Sequence, residues 1–303
     1  MRVLVTGASG YVGREVVAAL DASGHSPVAM VRAAGATVAG ATEVRLADLL
    51  DVHALRQAME GVDVVCHLAG VARARESLTE PLKYFRVNTA GTIALLDAMA
   101  RAEVKKIVLA STGSIYGTPK SQPMVEDMPD APPHPYASSK LAAELAVEAQ
   151  ARGAGISAIT VRMLNVAGGL DPDPTRLVPR VLATAMGHGP LPVNGEGTAV
   201  RDYLHVADAA AAFVACVEHL PAMGKSTRYN IGSGLGYSVL DVVAAAERVT
   251  GRQIPLEHRP PVSEPEALVS DPAKAMSELN WSPERSSIAE IVRDAWSAVS
   301  EAQ

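Results

Sequence analysis

Tyr136 and Lys140 are one helical turn apart in Tyr136-Ala-Ser-Ser-Lys140, the opening of a stretch predicted to be helical to about Arg152. On a helix that spacing puts both side chains on one face. A phenol alone is a poor base, with a reference pKa of about 10. A neighbouring ammonium favours the phenolate and draws that value down. Together they can move a proton near neutral pH. A hydroxyl cluster, Ser111-Thr112-Gly-Ser114, stands earlier in the chain, directly after the apolar run Lys106 to Ala110. Hydroxyls at the carboxyl end of a parallel strand lie where open α/β sheets bind ligands.

Such residues need a sheet to hold them. Arg2-Val-Leu-Val-Thr6 has the apolar, β-branched character of a buried parallel strand. Gly7-Ala-Ser9-Gly10-Tyr11-Val12-Gly13 follows, then a helical pattern from Arg14 to about Ser23. Strand, glycine turn and helix together make a pyrophosphate site, with backbone amides at the helix start facing the phosphates. Gly7 permits the turn, Gly10 admits the ligand to the backbone, and Gly13 packs helix on strand.

Pro27 to Val31 is the second strand. An NAD site ordinarily ends this strand with an acid for the adenosine ribose. Here it ends Met30-Val31-Arg32. Arg32 can contact a 2′-phosphate, which favours NADP, stack on adenine, or stand free in solvent. Asp48 and Leu49 follow at another strand end, beside the expected adenine, and Asp51 is the expected N-cap of a helix to Glu60. Val62 to Leu68 is a strand ending in Ala69-Gly70, small enough for a cofactor to lie on the backbone. His67 within it reads as a packed core histidine. One long helix is expected from Tyr84 to Ala102, carrying Asn88 and Gly91. A Pro-rich loop, Pro119 to Pro135, delivers Tyr136, and Ile156 to Arg162 is a further strand.

The fold class is therefore α/β: a doubly wound parallel sheet of Rossmann type with a smaller, mixed C-terminal substrate lobe. The boundary is placed at 165, giving a dinucleotide-binding domain over 1–165 and a substrate-binding lobe over 166–303. Residues near 201–232 are expected to return to the first domain. Asp208 is the expected cap of an alanine-rich helix.

The chain has 303 residues, 48% apolar and 20% charged, with a formal net charge of -6. Scattered Lys and Arg speak against nucleic acid and polybasic membrane binding. No apolar run reaches the roughly 18 residues of a membrane span. Without a charged leader and apolar region, a cytoplasmic location is expected. Cys66 and Cys216 sit in apolar runs and read as reduced core residues, with no disulfide and no metal-ligand spacing.

Taken together, Thr6-Gly-Ala-Ser-Gly-Tyr-Val-Gly13, His67-Leu-Ala-Gly70, Asn88-Thr-Ala-Gly-Thr92, Ala110-Ser-Thr-Gly-Ser-Ile-Tyr-Gly117, Tyr136-Ala-Ser-Ser-Lys140, Arg162-Met-Leu-Asn165, Arg201-Asp-Tyr-Leu-His-Val-Ala-Asp208 and Tyr229-Asn-Ile-Gly232 resemble the extended short-chain dehydrogenase/reductase family. The likeness is to its nucleotide-sugar epimerase/dehydratase branch and covers essentially the whole chain. It implies NAD held by Gly7, Ser9, Gly10, Tyr11, Val12, Gly13, Arg32, Asp48, Leu49, Leu68, Ala69, Gly70, Asn88 and Ala110, with Tyr136 and Lys140. It makes Tyr136 the acid/base on a sugar hydroxyl, with Lys140 lowering its pKa and holding the nicotinamide ribose. Thr112 orients the hydroxyl, with Ser111 and Ser114 beside it. Asn165 touches the sugar diphosphate, Arg201 pairs with it, and Val193 packs on the nucleotide base or in the core. The partners implied are a nucleotide-diphosphate sugar and a second copy of the chain, joined through the helices carrying Asn88 and Tyr136.

Departures from the family pattern shape the expected activity. Gly113 and Ser114 stand where 4,6-dehydratases carry an Asp-Glu pair, which argues against water elimination. Val31 replaces the ribose-binding aspartate. Arg259-Pro-Pro-Val-Ser-Glu264 displaces a second diphosphate arginine and puts Glu264 where an aspartate is expected. The leading reading is a 4-epimerase of a nucleotide-activated hexose or hexuronic acid. It oxidises C4 transiently with bound NAD and returns hydride to the other face. The rivals are an NADPH-dependent reductase of a 4-keto sugar or other carbonyl, and a non-catalytic nucleotide-sensing protein.

Overall fold

The computed structural model describes residues 1–301. β1 (Arg2–Thr6) has Val3, Leu4 and Val5 wholly buried, as a central strand covered on both faces requires. The chain turns at Gly7 into α1 (Tyr11–Ala22), returns through β2 (Ser26–Val31), and continues to β3 (Glu43–Leu46), α2 (Val52–Ala58) and β4 (Val64–His67). Asp51 caps α2 as expected, accepting from the amides of His53 and Ala54. Two one-turn helices, α3 (Ala74–Ser77) and α4 (Pro81–Tyr84), precede α5 (Gly91–Arg101), β5 (Lys106–Thr112), α6 (Pro135–Ala154) and β6 (Ser157–Met163). Then come β7 (Asn165–Ala167), α7 (Leu177–Ala185), β8 (Leu191–Asn194), β9 (Val200–His205), α8 (Val206–Glu218) and β10 (Ser226–Ile231). The chain closes with β11 (Gly236–Ser238), α9 (Val239–Thr250), β12 (Leu256–Arg259), β13 (Ala267–Leu268), α10 (Ala273–Leu279) and α11 (Ile288–Glu301).

Seven strands form one parallel sheet in the order β10-β6-β5-β4-β1-β2-β3. The order reverses between β1 and β4. In open α/β sheets the ligand crevice lies beyond the carboxyl ends of the strands at that reversal. α1, α8 and α10 cover one face through Val16, Leu20, Phe213 and Ala275. α2, α5 and α6 cover the other through Leu55, Leu95, Met99 and Val147. A third core lies under α7, α9 and α11, against β8 and β9. There the small sheets are β11-β9-β13 with β7 on β9, and β12 on β8.

Two local expectations are corrected. The single helix expected from Tyr84 to Ala102 is α4, a π-helical turn over Phe85–Ala90, and α5. Such widened turns are frequent at functional sites, and this one carries Asn88. Asp208 does not cap α8. The His205 ring nitrogen accepts from the Ala207 amide, and the Asp208 carboxylate binds the Arg285 amide at 2.9 Å and the Ser286 hydroxyl.

The glycine turn has little tolerance. Gly7 has φ +70, and a Cβ there would lie 2.8 Å from the Ala69 nitrogen; a Cβ on Gly13 would collide with the Gly7 carbonyl. Gly13→Ala is expected to cost about 3 kcal/mol through overpacking. Urea unfolding measures that cost, and weaker dinucleotide binding should accompany it.

Candidate active site

α1 begins at Gly10 with no side-chain cap and no acid in its first turn. Its first amides have no intrahelical partners, and with the helix dipole they suit an anion. Ser9 and Gly10 are exposed there. This terminus fits a dinucleotide pyrophosphate. The Tyr11 phenol is committed elsewhere: it donates to the Gly168 carbonyl, and its ring lies between Arg14 and Arg176, at 5.7 and 5.3 Å. Tyr11 and Val12 therefore face this crevice through their backbone.

The β1–β2 register pairs Thr6 with Met30, so the exposed Arg32 flanks the glycine turn. Val31 before it is buried. Asp48 is exposed and accepts the Leu50 amide at 2.9 Å. Leu49 is buried, with its side chain against Gly91. Its side chain is a core group.

Beyond β4, the Thr6 hydroxyl accepts the Ala69 amide at 3.1 Å and lies 2.7 Å from His67 Nδ1. The other ring nitrogen of His67 is 3.0 Å from the Thr92 hydroxyl. Burial first, and then the charge of Lys140, push the His67 pKa down to about 3. The ring is a neutral spacer, as its place in an apolar strand suggests. Asn88 fully uses its amide: it accepts from Val71 N at 2.9 Å and donates to the Val71 carbonyl and the Ser139 hydroxyl, each at 3.0 Å. It holds the Leu68–Val71 loop in place. A Cβ on Gly70 would meet Asn88 Oδ1 at 2.8 Å and Lys140 Nζ at 3.3 Å. The bare backbone there gives a flat ligand close access to Lys140.

α6 starts where His134 accepts the Ala137 amide at 3.2 Å. Tyr136 stacks on the His134 ring at 5.8 Å and takes the edge of Tyr84 at 6.2 Å. Burial raises the Tyr136 pKa; the Thr112 hydroxyl and the Arg176 charge oppose that rise. The structure thus corrects the expectation that Lys140 lowers it. The Lys140 ammonium instead donates to the Ala110 carbonyl at 2.9 Å. Burial draws the Lys140 pKa down to about 8, with Glu144 holding it up. Arg176 escaped the sequence reading because it is far along the chain and resembles an ordinary helix start.

Adjacent strand residues face opposite ways, which separates Thr112 from Ser111. Thr112 meets Tyr136 and accepts the Ser114 amide at 3.1 Å. Ser111 is buried and donates to the Glu144 carboxylate, so it is not a substrate contact. A Cβ on Gly113 would press on the Leu164 side chain at 3.0 Å.

At the other end, the parallel pairing of β7 with β9 sets Asn165 beside Tyr203, and the Asn165 amide donates to the Asp202 carbonyl at 3.2 Å. Arg201 donates to the Val200 and Pro265 carbonyls at 2.8 and 2.9 Å and pairs with Glu264 at 2.7 Å. Arg259 lies apart on the exposed β12, near Glu257. Val193 is 2% exposed within the third core, and a Cβ on Gly197 would abut it. Its side chain packs in that core.

A phenol and a hydroxyl meeting beside an anion-accepting helix terminus, over a flat glycine backbone, are suited to redox chemistry on a carbinol. Fold and site define an α/β enzyme that works with a dinucleotide. The model of the NAD dependent epimerase/dehydratase family matches residues 3–232, and the chain belongs to that family. It is 36% identical to a UDP-glucose 4-epimerase of Lacticaseibacillus casei, over 98% of this chain and 96% of that protein. The crystal structure of UDP-glucose 4-epimerase from Bifidobacterium longum with NAD+ and UDP superposes with a TM-score of 0.91 at 29% identity, covering 99% of this chain and 98% of that one. MoeE5 in complex with UDP-glucuronic acid and NAD gives 0.91 at 29% identity, covering 100% of both chains.

The low pKa of His67 has a stability consequence. Its folded value lies below the unfolded one of about 6.5, so the unfolded chain binds the proton first as pH falls. This contribution to stability is complete above that value and is lost as pH drops toward about 3. His67→Gln is expected to flatten the acid side of the stability profile between pH 6 and 4, as measured by urea unfolding.

Proposed function

We propose that this protein is an NAD-dependent 4-epimerase of a uridine-diphosphate hexose or hexuronate. The observation that carries the reading is the meeting of Thr112 and Tyr136 at the end of β5, with Lys140 on the same helix set against the bare backbone of Gly70. When bound, the nicotinamide supplies a reversible hydride acceptor for sugar C4. Tyr136 takes the C4 hydroxyl proton as that carbon is oxidised and gives it back after the sugar has turned. Thr112 fixes the direction of that hydroxyl. Lys140 holds positive charge on the ribose side. Arg201, braced by two carbonyls and Glu264, grips the diphosphate with Asn165 while the sugar turns; a forked guanidinium suits that task. Water elimination is disfavoured, because Gly113 has no side chain to serve as acid.

The relatives support this reading through their described ligands, NAD with UDP in one and NAD with UDP-glucuronic acid in another. Among the described residues no helix is long and apolar enough to cross a membrane. We place the protein in the cytoplasm as a homodimer, joined through the face that exposes Leu82, Ile93 and Leu145 on α4, α5 and α6. A second reading, reduction of a 4-keto sugar with NADPH, is favoured by Arg32 alone.

NMR of the purified protein with UDP-glucose, UDP-galactose or UDP-glucuronate, catalytic NAD and no reductant should show the C4 epimer of at least one. NADPH consumption with a 4-keto sugar, and no epimer from any of the three, would replace epimerase with reductase. Tyr136→Phe should lower kcat by about a thousandfold and leave NAD affinity within about twofold of wild type. A fully active variant overturns the role of Tyr136. Arg32→Asp should strengthen NAD binding and abolish any NADP binding, read by equilibrium dialysis, since the carboxylate suits the ribose diol and repels a 2′-phosphate.

A further inference from the structure

A charge cluster lies beneath the reacting groups, enclosed by β5, β6, α6 and the loop that delivers Tyr136. Lys140, Ala143, Glu144, Val147 and Ala151 share the buried stripe of α6. Two ionisable residues thus sit where an apolar face is required. The Arg162 side chain on β6 is wholly buried and holds Glu144 by two bonds, Nε to Oε1 at 3.1 Å and Nη2 to Oε2 at 2.6 Å. Its remaining nitrogen meets Asp130 Oδ1 at 2.8 Å, and its plane lies 4.7 Å from the Tyr116 ring centroid. Ser111 donates to Glu144 from β5.

We propose that Glu144 is a positioning residue of the reaction: it fixes Thr112 through the neighbouring Ser111 and, balanced against Arg162, keeps Lys140 an ammonium. Each catalytic group is one short step from this cluster. Thr112 adjoins Ser111, Lys140 is one turn from Glu144, and the loop before Tyr136 is pinned by Asp130. Lys140 and Arg162 supply two positive charges, and Glu144 and Asp130 two negative ones. Arg228 on β10 reaches Asp130 only at 3.7 Å and is partly exposed. The other groups facing Lys140 are the neutral His67 on β4, the Asn88 amide and the Ala110 carbonyl. Neutralising Glu144 leaves two buried cations against one anion. A guanidinium keeps its proton, so the imbalance falls on the Lys140 ammonium, whose burial already favours loss of its proton.

The charge role is tested on the protonation of Lys140, which needs no substrate and is separate from the epimerase reading; the positioning of Thr112 is tested on turnover and rests on that reading. The chain has seven lysines. With [ε-13C]lysine in the full-length protein, the Lys140 resonance is the one missing from Lys140→Arg. In wild type it should titrate near pH 8. In Glu144→Gln the midpoint should fall by at least about one pH unit, a tenfold loss of ammonium at a given alkaline pH. Glu144→Gln combined with Arg162→Gln restores the balance and should return the midpoint toward wild type. It also serves where the single variant does not fold. An unshifted midpoint in folded Glu144→Gln overturns the charge role, and so does a double variant that stays as low as the single. Ser111→Ala, which keeps every charge, should lower epimerase kcat about tenfold with the Lys140 midpoint unchanged. An unchanged kcat overturns the positioning of Thr112.

Discussion

A buried ammonium must be kept charged. Lys140 sits on the inward stripe of α6, where desolvation works against its proton. Its charge survives because the end of β5 offers a carbonyl and α6 offers a carboxylate one turn away. That carboxylate is itself buried and needs Arg162, which needs Asp130. The requirement passes outward through the structure until it reaches the partly exposed Arg228. The parallel pairing of β5 with β6 sets Ser111 opposite Arg162 and so determines which side chains can meet.

A second set of bonds couples the phosphate end to the C-terminal part of the chain. The Tyr11 phenol reaches the Gly168 carbonyl, and the next amide, Gly169, donates to Asp294 on α11 at 2.8 Å. Asp294 also lies 3.0 Å from the buried His205 ring at the start of α8. The glycine turn, the strand that carries Arg201 and the last helix are therefore mechanically one unit. An enzyme that must hold a diphosphate still while the sugar moves benefits from that stiffness.

Much of this was legible in the sequence because it rests on local rules. β-branched runs between glycines gave the central strands, Gly7 to Gly13 gave the turn, and Asp51 announced its cap. Tyr136 and Lys140 were visible as one helical turn. The unreadable parts rest on distance. Nothing in Phe85–Ala90 marks a π turn, since it differs from an α turn by one hydrogen-bond partner. Arg176 reaches Tyr136 from beyond β7. Val193 belongs to the third core because α7 and α9 close over it. The expectation that Lys140 lowers the Tyr136 pKa assumed that shared helical face means mutual contact, and the Ala110 carbonyl takes the ammonium instead.

β10 enters the main sheet after the chain has already built β7, β8 and β9, and it pairs along the whole of β6. α8 covers the face next to α1 on the way. A fragment ending near residue 165 would retain the glycine turn, Tyr136 and Lys140, yet β6 would become a bare edge. An unprotected apolar edge strand is a template for pairing with other chains. Such a fragment would also uncover Phe213's side of α1 and open the wall around Arg162. The main sheet is therefore complete only once the chain has run past residue 165 and returned as β10.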